Sequence, residues 1–170
     1  MLKKLFGLGK KEAEPVQPQQ EVVVSPITGK LVNIEEVPDP MFAQKMMGDG
    51  VAIEPTEGKA VAPVSGEIVQ VFPTKHAIGL KTKGGIELLL HIGLETVNMK
   101  GEGFTAYVKE GDKVNVGDTL VEFDLDLINE KATSTITPIV ITNMEAVASL
   151  EKEAAAETVA GETPLLTLKL

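Results

Sequence analysis

Two stretches of the chain, SPITGKLVNI at 25–34 and APVSGEIVQV at 62–71, carry the same punctuation. Pro26 matches Pro63, Gly29 matches Gly66, and each glycine opens a run of β-branched or long apolar residues. The offset is 37 residues (62 − 25). Proline fixes φ and glycine tolerates a close backbone neighbour, so each copy reads as a turn feeding a strand. The same grammar recurs in EVVV, GVAIEP, DTLVEFDL, TPIVIT and LLTLKL, all short and bounded by Pro, Gly or Asp. Only 39–46, 124–132 and 144–154 read as helical. These patterns predict an all-β, antiparallel sandwich with internal duplication and a few short helical turns.

Residues 12–20, EAEPVQPQQ, are polar and proline-bearing and read as a linker. The chain therefore divides into a basic tail and linker at 1–20 and one domain at 21–170. The first eleven residues hold Lys3, Lys4, Lys10 and Lys11 and no acid, so a net charge of −9 leaves −13 for the remainder. Residues 1–11 also alternate lysine with Leu2, Leu5, Phe6 and Leu8, a pattern suited to weak contact with an anionic membrane. An acidic body argues against nucleic acid and for basic protein partners. There is no cysteine, hence no disulfide, thiolate metal site or thiol nucleophile. No apolar run is long enough to span a bilayer, and none reads as an export signal. The expectation is a soluble cytoplasmic protein.

The chain has two histidines, His76 and His91. In GGIELLLHIGLET (84–96), Ile86, Leu88, Leu90 and Ile92 share one strand face, and Glu87, Leu89 and His91 the other. HAIGLKTKGGIELLLH reads as a hairpin turning at 82–85. An even loop centred between Lys83 and Gly84 pairs Lys81 with Ile86 and sets His76 directly opposite His91, with Ile78 opposite Leu89. Three kinds of chemistry remain open for such a pair: packed or surface imidazoles, half of a metal site, or a nucleophile assisted by its neighbour. Two adjacent imidazoles resist double protonation, so at least one stays neutral near pH 7.

The stretches SPITGKLVNIEEVPDPMFAQKMMGDGVAIEP, VAPVSGEIVQVFPTKHAIGL, ELLLHIGLETVNMKGEGF, EGDKVNVGDTLVEFDL and TPIVITNM resemble the glucose-type enzyme IIA family of the bacterial phosphoenolpyruvate-dependent sugar phosphotransferase system. The resemblance runs over 21–170. It implies a phosphohistidine carrier that takes phosphate from the carrier protein HPr on His91 and gives it to a cysteine of a separate IIB domain. On the same basis His76 is the assisting partner and Thr74 the hydroxyl that holds it. Asp39 and Glu95 match acidic rim positions. Phe42, Met46, Met47, Phe72, Ile78 and Val97 match an apolar docking ring. No cofactor is required, although the family pattern allows zinc shared by His76, His91 and a partner's carboxylate. It also allows a regulatory role, with transporters or metabolic enzymes as partners. The rival readings are a zinc hydrolase on a related β fold and a purely regulatory binding module.

Overall fold

The computed structural model describes residues 20–154 and 156–170. The basic tail, and the membrane contact expected of it, thus lie outside the described residues. Among the described residues, fourteen strands run in chain order. They are β1 Gln20–Val24, β2 Gly29–Asn33, β3 Asp49–Pro55, β4 Lys59–Val61, β5 Gly66–Val71, β6 Ala77–Thr82 and β7 Glu87–His91. The remainder are β8 Phe104–Ala106, β9 Lys113–Val114, β10 Thr119–Phe123, β11 Thr137–Ile141, β12 Ser149–Lys152, β13 Glu157–Thr158 and β14 Pro164–Lys169. One eight-stranded antiparallel sheet has the order β9-β5-β6-β7-β11-β3-β2-β13. Two three-stranded sheets, β4-β10-β8 and β12-β14-β1, complete a β-sandwich. The main core joins Ile68, Leu80, Leu88, Leu90 and Ile139 of the large sheet to Leu120, Phe123, Leu165 and Leu168 of the small ones.

The duplication is visible in the hydrogen bonds. Val24 N–H donates to the Pro63 carbonyl at 3.0 Å, and Val61 N–H donates to the Pro26 carbonyl at 2.8 Å. These are one bond written twice, because 61 − 24 and 63 − 26 are both 37. A second offset, of 44, relates the sheet edges: Lys113 and Val114 pair with Glu67 and Gly66 as Glu157 and Thr158 pair with Lys30 and Gly29. Even the irregularities repeat, with a bulge in β10 between Thr119 and Val121 and another in β14 between Pro164 and Leu166. Matched bulges impose matched bends on the two small sheets.

Two helical expectations hold in shortened form, as α1 at Pro40–Ala43 and α2 at Leu125–Lys131. Asp39 and Asp124 cap them, accepting from the backbone N–H of Met41 and Leu127. The third does not: 144–154 makes one 3-10 turn at Met144–Ala146 and then β12. β12 finds a partner in β14, pairing Ser149 with Lys169 through Lys152 with Leu166. Sheet pairing there outweighs the helical preference of an Ala- and Glu-rich segment.

Candidate functional site

His91 ends β7 on the outer face of the large sheet, away from the main core. That face carries its own small cluster of Val32, Ala52, Ala77, Leu89, Leu94, Ile136 and Val140, roofed by Phe42 from α1. Met47 and Phe72 pack on its margin. The face separation read from GGIELLLHIGLET is therefore present, with Ile86, Leu88, Leu90 and Ile92 in the main core.

The register is not the expected one. Lys81 pairs with Glu87, Ile78 with Leu90 and Ala77 with His91. The hairpin loop has three residues, 83–85: Thr82 and Ile86 close it through Thr82 N–H to the Ile86 carbonyl at 2.9 Å, and Gly85 takes φ +92°. A three-residue loop ending on a left-handed glycine shifts every pair by one relative to an even loop. His76 is therefore not a cross-strand partner of His91. It lies just before β6, in a turn where Lys75 N–H donates to the Phe72 carbonyl at 2.7 Å and Lys75 itself takes φ +63°. The His76 carbonyl still accepts from Ile92 N–H at 2.7 Å, one pair beyond Ala77 and His91, and its ring lies beside that of His91.

The rings meet all the same. Their centroids are 4.9 Å apart and nearly perpendicular, at 83°. Phe42 lies 5.2 Å from His91, and Phe72 lies 5.5 Å from His76 edge-on. The Thr74 hydroxyl bonds His76 Nδ1 at 2.6 Å. His91 Nδ1 lies 2.8 Å from the Gly93 carbonyl oxygen. A carbonyl only accepts, so Nδ1 of His91 carries the proton and Nε2 carries the lone pair. Gly93 can approach because its φ is +75° and it has no Cβ, which would lie 2.9 Å from the Ser134 carbonyl oxygen.

Electrostatics keep both rings neutral. Burial, then repulsion from His91, lowers the pKa of His76 to about 4. His91 is also pushed down by burial, opposed by the Gly93 carbonyl and the Asp39 carboxylate. His76 is almost wholly enclosed, whereas His91 is partly open to solvent. The result is an uncharged, outward-facing imidazole nitrogen with a carbonyl behind it, ready to stabilise positive charge on the ring when Nε2 forms a bond.

Of the expected ring residues, Phe42 and Phe72 touch the histidines and Met47 packs beside them. Met46 and Val97 are exposed, Met46 just after α1 and Val97 in the 3-10 turn Thr96–Met99. Glu95 precedes that turn, exposed and left-handed at φ +61°. Asp39 caps α1, and its charge reaches His91. Ile78 is a correction: it is fully buried in the main core, on the opposite face of β6 from Ala77. The register shift explains it, because pairing with Leu90 turns Ile78 inward. One contributor was not foreseen, the Gly93 carbonyl. A glycine two residues after a strand-terminal histidine was the available signal for it.

Among the described residues no group of three or more His, Cys, Asp or Glu could hold a metal. With both Nδ1 atoms engaged, the chain offers at most two Nε2 ligands, half of a tetrahedral zinc site. It does not complete a metal centre alone.

The family model of the phosphoenolpyruvate-dependent sugar phosphotransferase system, EIIA 1, matches residues 21–147. This chain belongs to that family. It is similar to glucose-specific EIIA components of the phosphotransferase system in Halalkalibacterium halodurans (68% identical), Bacillus cereus (58%) and Staphylococcus aureus (50%), each alignment covering 100% of this chain and 99% of the relative. Among solved structures, the glucose permease IIA from Mycoplasma capricolum superposes with a TM-score of 0.83 at 40% identity, covering 92% of this chain and 100% of that one. The chain is thus a phosphotransferase-system EIIA component, a phosphocarrier whose family requires no cofactor. No helix among the described residues is long and apolar enough to cross a membrane.

Proposed function

We propose that His91 accepts a phosphoryl group at Nε2 from the phosphohistidine of HPr and passes it to a cysteine of a separate IIB domain, serving glucose-type sugar uptake. The observation that carries this reading is the His91 Nδ1–H to Gly93 carbonyl bond, which leaves Nε2 as the nucleophile beside His76. In the transfer the donor's N–P bond breaks as a bond from His91 Nε2 to phosphorus forms. The Nδ1 proton stays in place, and the Gly93 carbonyl stabilises the ring as it becomes positive. His76, held by Thr74, lies against the acceptor ring and can offer its Nε2–H to a phosphoryl oxygen. The surrounding apolar ring excludes water while a partner is docked, which protects a hydrolysable phosphohistidine. Asp39 and Glu95 supply the acidic rim for a basic partner, and Phe42, Met46, Met47, Phe72 and Val97 its apolar floor. HPr and the IIB domain then share one docking face, which a regulated transporter or metabolic enzyme would also use, and a carboxylate from such a partner would be needed to complete any zinc site.

Phosphoryl transfer is read by intact mass after mixing the chain with phosphoenolpyruvate, enzyme I and HPr. Wild type is expected to gain one acid-labile phosphoryl group and His91→Ala none. His76→Gln is expected to accept phosphate yet donate it to IIB at least tenfold more slowly. A wild-type chain that gains no mass beside active partners overturns the relay.

A further inference from the structure

The two edges of the eight-stranded sheet are built on one frame with inverted charge. At one edge Glu67 of β5 is flanked in register by Lys113 of β9 and Lys81 of β6. At the other Lys30 of β2 is flanked by Glu157 of β13 and Glu54 of β3. Each position of one triplet carries the opposite charge in its duplicate. Both edges are grooved. The first groove, of about 590 Å³, is lined by Ser65, Glu67, Lys81, Lys83, Lys113 and Asn115, together with the backbone of β5 and β6. The other, of about 470 Å³, shares only the Lys30 and Glu54 positions of that frame and is otherwise lined by Asn33, Glu36 and Glu153. Three lysines against one glutamate give the first a local charge of +2, and one lysine against three glutamates gives the second −2. A +2 groove is a marked departure in a chain of net charge −9.

We propose that the Lys81–Lys83–Lys113 groove is a second binding site, for a phosphorylated polyhydroxyl small molecule of sugar-phosphate size. The lysine ammonium groups at the rim supply point charges for a phosphate monoester. Glu67 and Asn115 supply acceptors and an amide for hydroxyl groups, which a bare phosphate would not use. Ser65 Oγ already accepts from Val116 N–H at 3.1 Å, so its own hydrogen is available to donate. The volume falls in the small-molecule range of roughly 300–1,000 Å³. The lining is polar, which suits a polar ligand held weakly and exchanged quickly. The groove is separate from the histidines. β6 begins at Ala77, beside His76, and reaches the groove at Lys81, roughly 13 Å along the strand at about 3.3 Å per residue. The site does not depend on the relay reading, since neither histidine lines it.

The second groove is an internal control of opposite local charge on the same sheet. The test is an amide NMR titration of the full chain with glucose 6-phosphate, inorganic phosphate and glucose, at constant ionic strength. Glucose 6-phosphate is expected to shift the amides of 65–67, 81–83 and 113–115 and to leave those of 30–33, 54 and 153–154 unmoved. Inorganic phosphate should bind at least tenfold more weakly and glucose not at all. Lys81→Gln with Lys113→Gln should weaken the glucose 6-phosphate response at least tenfold, with the spectrum otherwise that of the folded wild type. Shifts confined to residues near 76 and 91 would assign the anion to the histidine site and overturn the proposal. Equal affinity for inorganic phosphate and glucose 6-phosphate would reduce the groove to a nonspecific anion patch, and shifts at both grooves would show that charge does not govern binding. Either result also overturns it.

Discussion

A histidine with its Nδ1 proton committed to a carbonyl has one remaining option, reaction or hydrogen bonding at Nε2, and Gly93 makes that commitment for His91. The Thr74 hydroxyl occupies the equivalent atom of His76. Burial also acts on His76, whose pKa falls to about 4, first from desolvation and then from His91. The consequence for stability has a definite sign. In the unfolded chain this histidine titrates near 6.5, so below that pH the unfolded state binds a proton that the folded state refuses until about pH 4. His76 should therefore leave stability untouched above about pH 7 and erode it as pH falls from 6.5 towards 4, by up to about 3 kcal/mol. Urea unfolding of wild type and His76→Gln at pH 7 and pH 5 isolates this from the carboxylates common to both. The wild type should lose about 2 kcal/mol more than the variant over that interval. Equal losses would mean that His76 is protonated in the folded protein.

At the scale of elements, the glycines that open the duplicated strands have a structural reason. A Cβ on Gly66 would lie 2.2 Å from the Lys81 carbonyl oxygen, and one on Gly29 would lie 2.1 Å from that of Glu54. Each glycine thus lets a hairpin close over its neighbour's backbone, the feature the sequence repeat displays. Gly66→Ala must push β5 from β6 and should cost about 3 kcal/mol. Gly85→Ala meets no atom within 4 Å and only strains a left-handed φ of +92°, a cost of about 1 kcal/mol. Denaturant midpoints of the two variants order these costs, and a Gly66→Ala protein as stable as Gly85→Ala would refute the close-packing account. The same scale shows what was legible. The strand repeat, the two faces of β7 and the presence of α1 and α2 follow from residue type and spacing. The hairpin register does not, because KGG fits an even or an odd loop until Gly85 is known to be left-handed. A one-residue slip carried Ile78 from the docking face to the core, while the rings of His76 and His91 meet without direct cross-strand pairing. Residues 144–154 misled because β12 depends on β14, a partner that no local pattern reveals.

The whole molecule is closed by its last strands. The family match ends at 147, yet Leu165, Leu166 and Leu168 of β14 have no solvent exposure and sit in the main core. β14 pairs with β1 along Val24 to Gln20, and β13 covers the edge of β2, where the Thr158 hydroxyl bonds the Ile27 carbonyl at 2.9 Å. The halves are therefore interlocked: the C-terminal strands finish sheets begun at residue 20, and β7 and β11 join the halves at the centre of the large sheet. Removing 148–170 would strip three buried leucines, about 1.5–3 kcal/mol each, and leave β1 unpaired. That loss is of the order of a domain's whole stability, about 5–15 kcal/mol. A chain ending at Val147 should show no cooperative thermal unfolding and no phosphoryl acceptance, although both histidines and every residue touching them remain. If residues 148–170 were instead an appendage, the shortened chain would melt at the wild-type temperature and still take phosphate on His91. Calorimetry beside intact-mass phosphorylation separates the two cases. The interlock requires both properties to disappear together, because the histidine site lies on a sheet whose other face is the core that β14 completes.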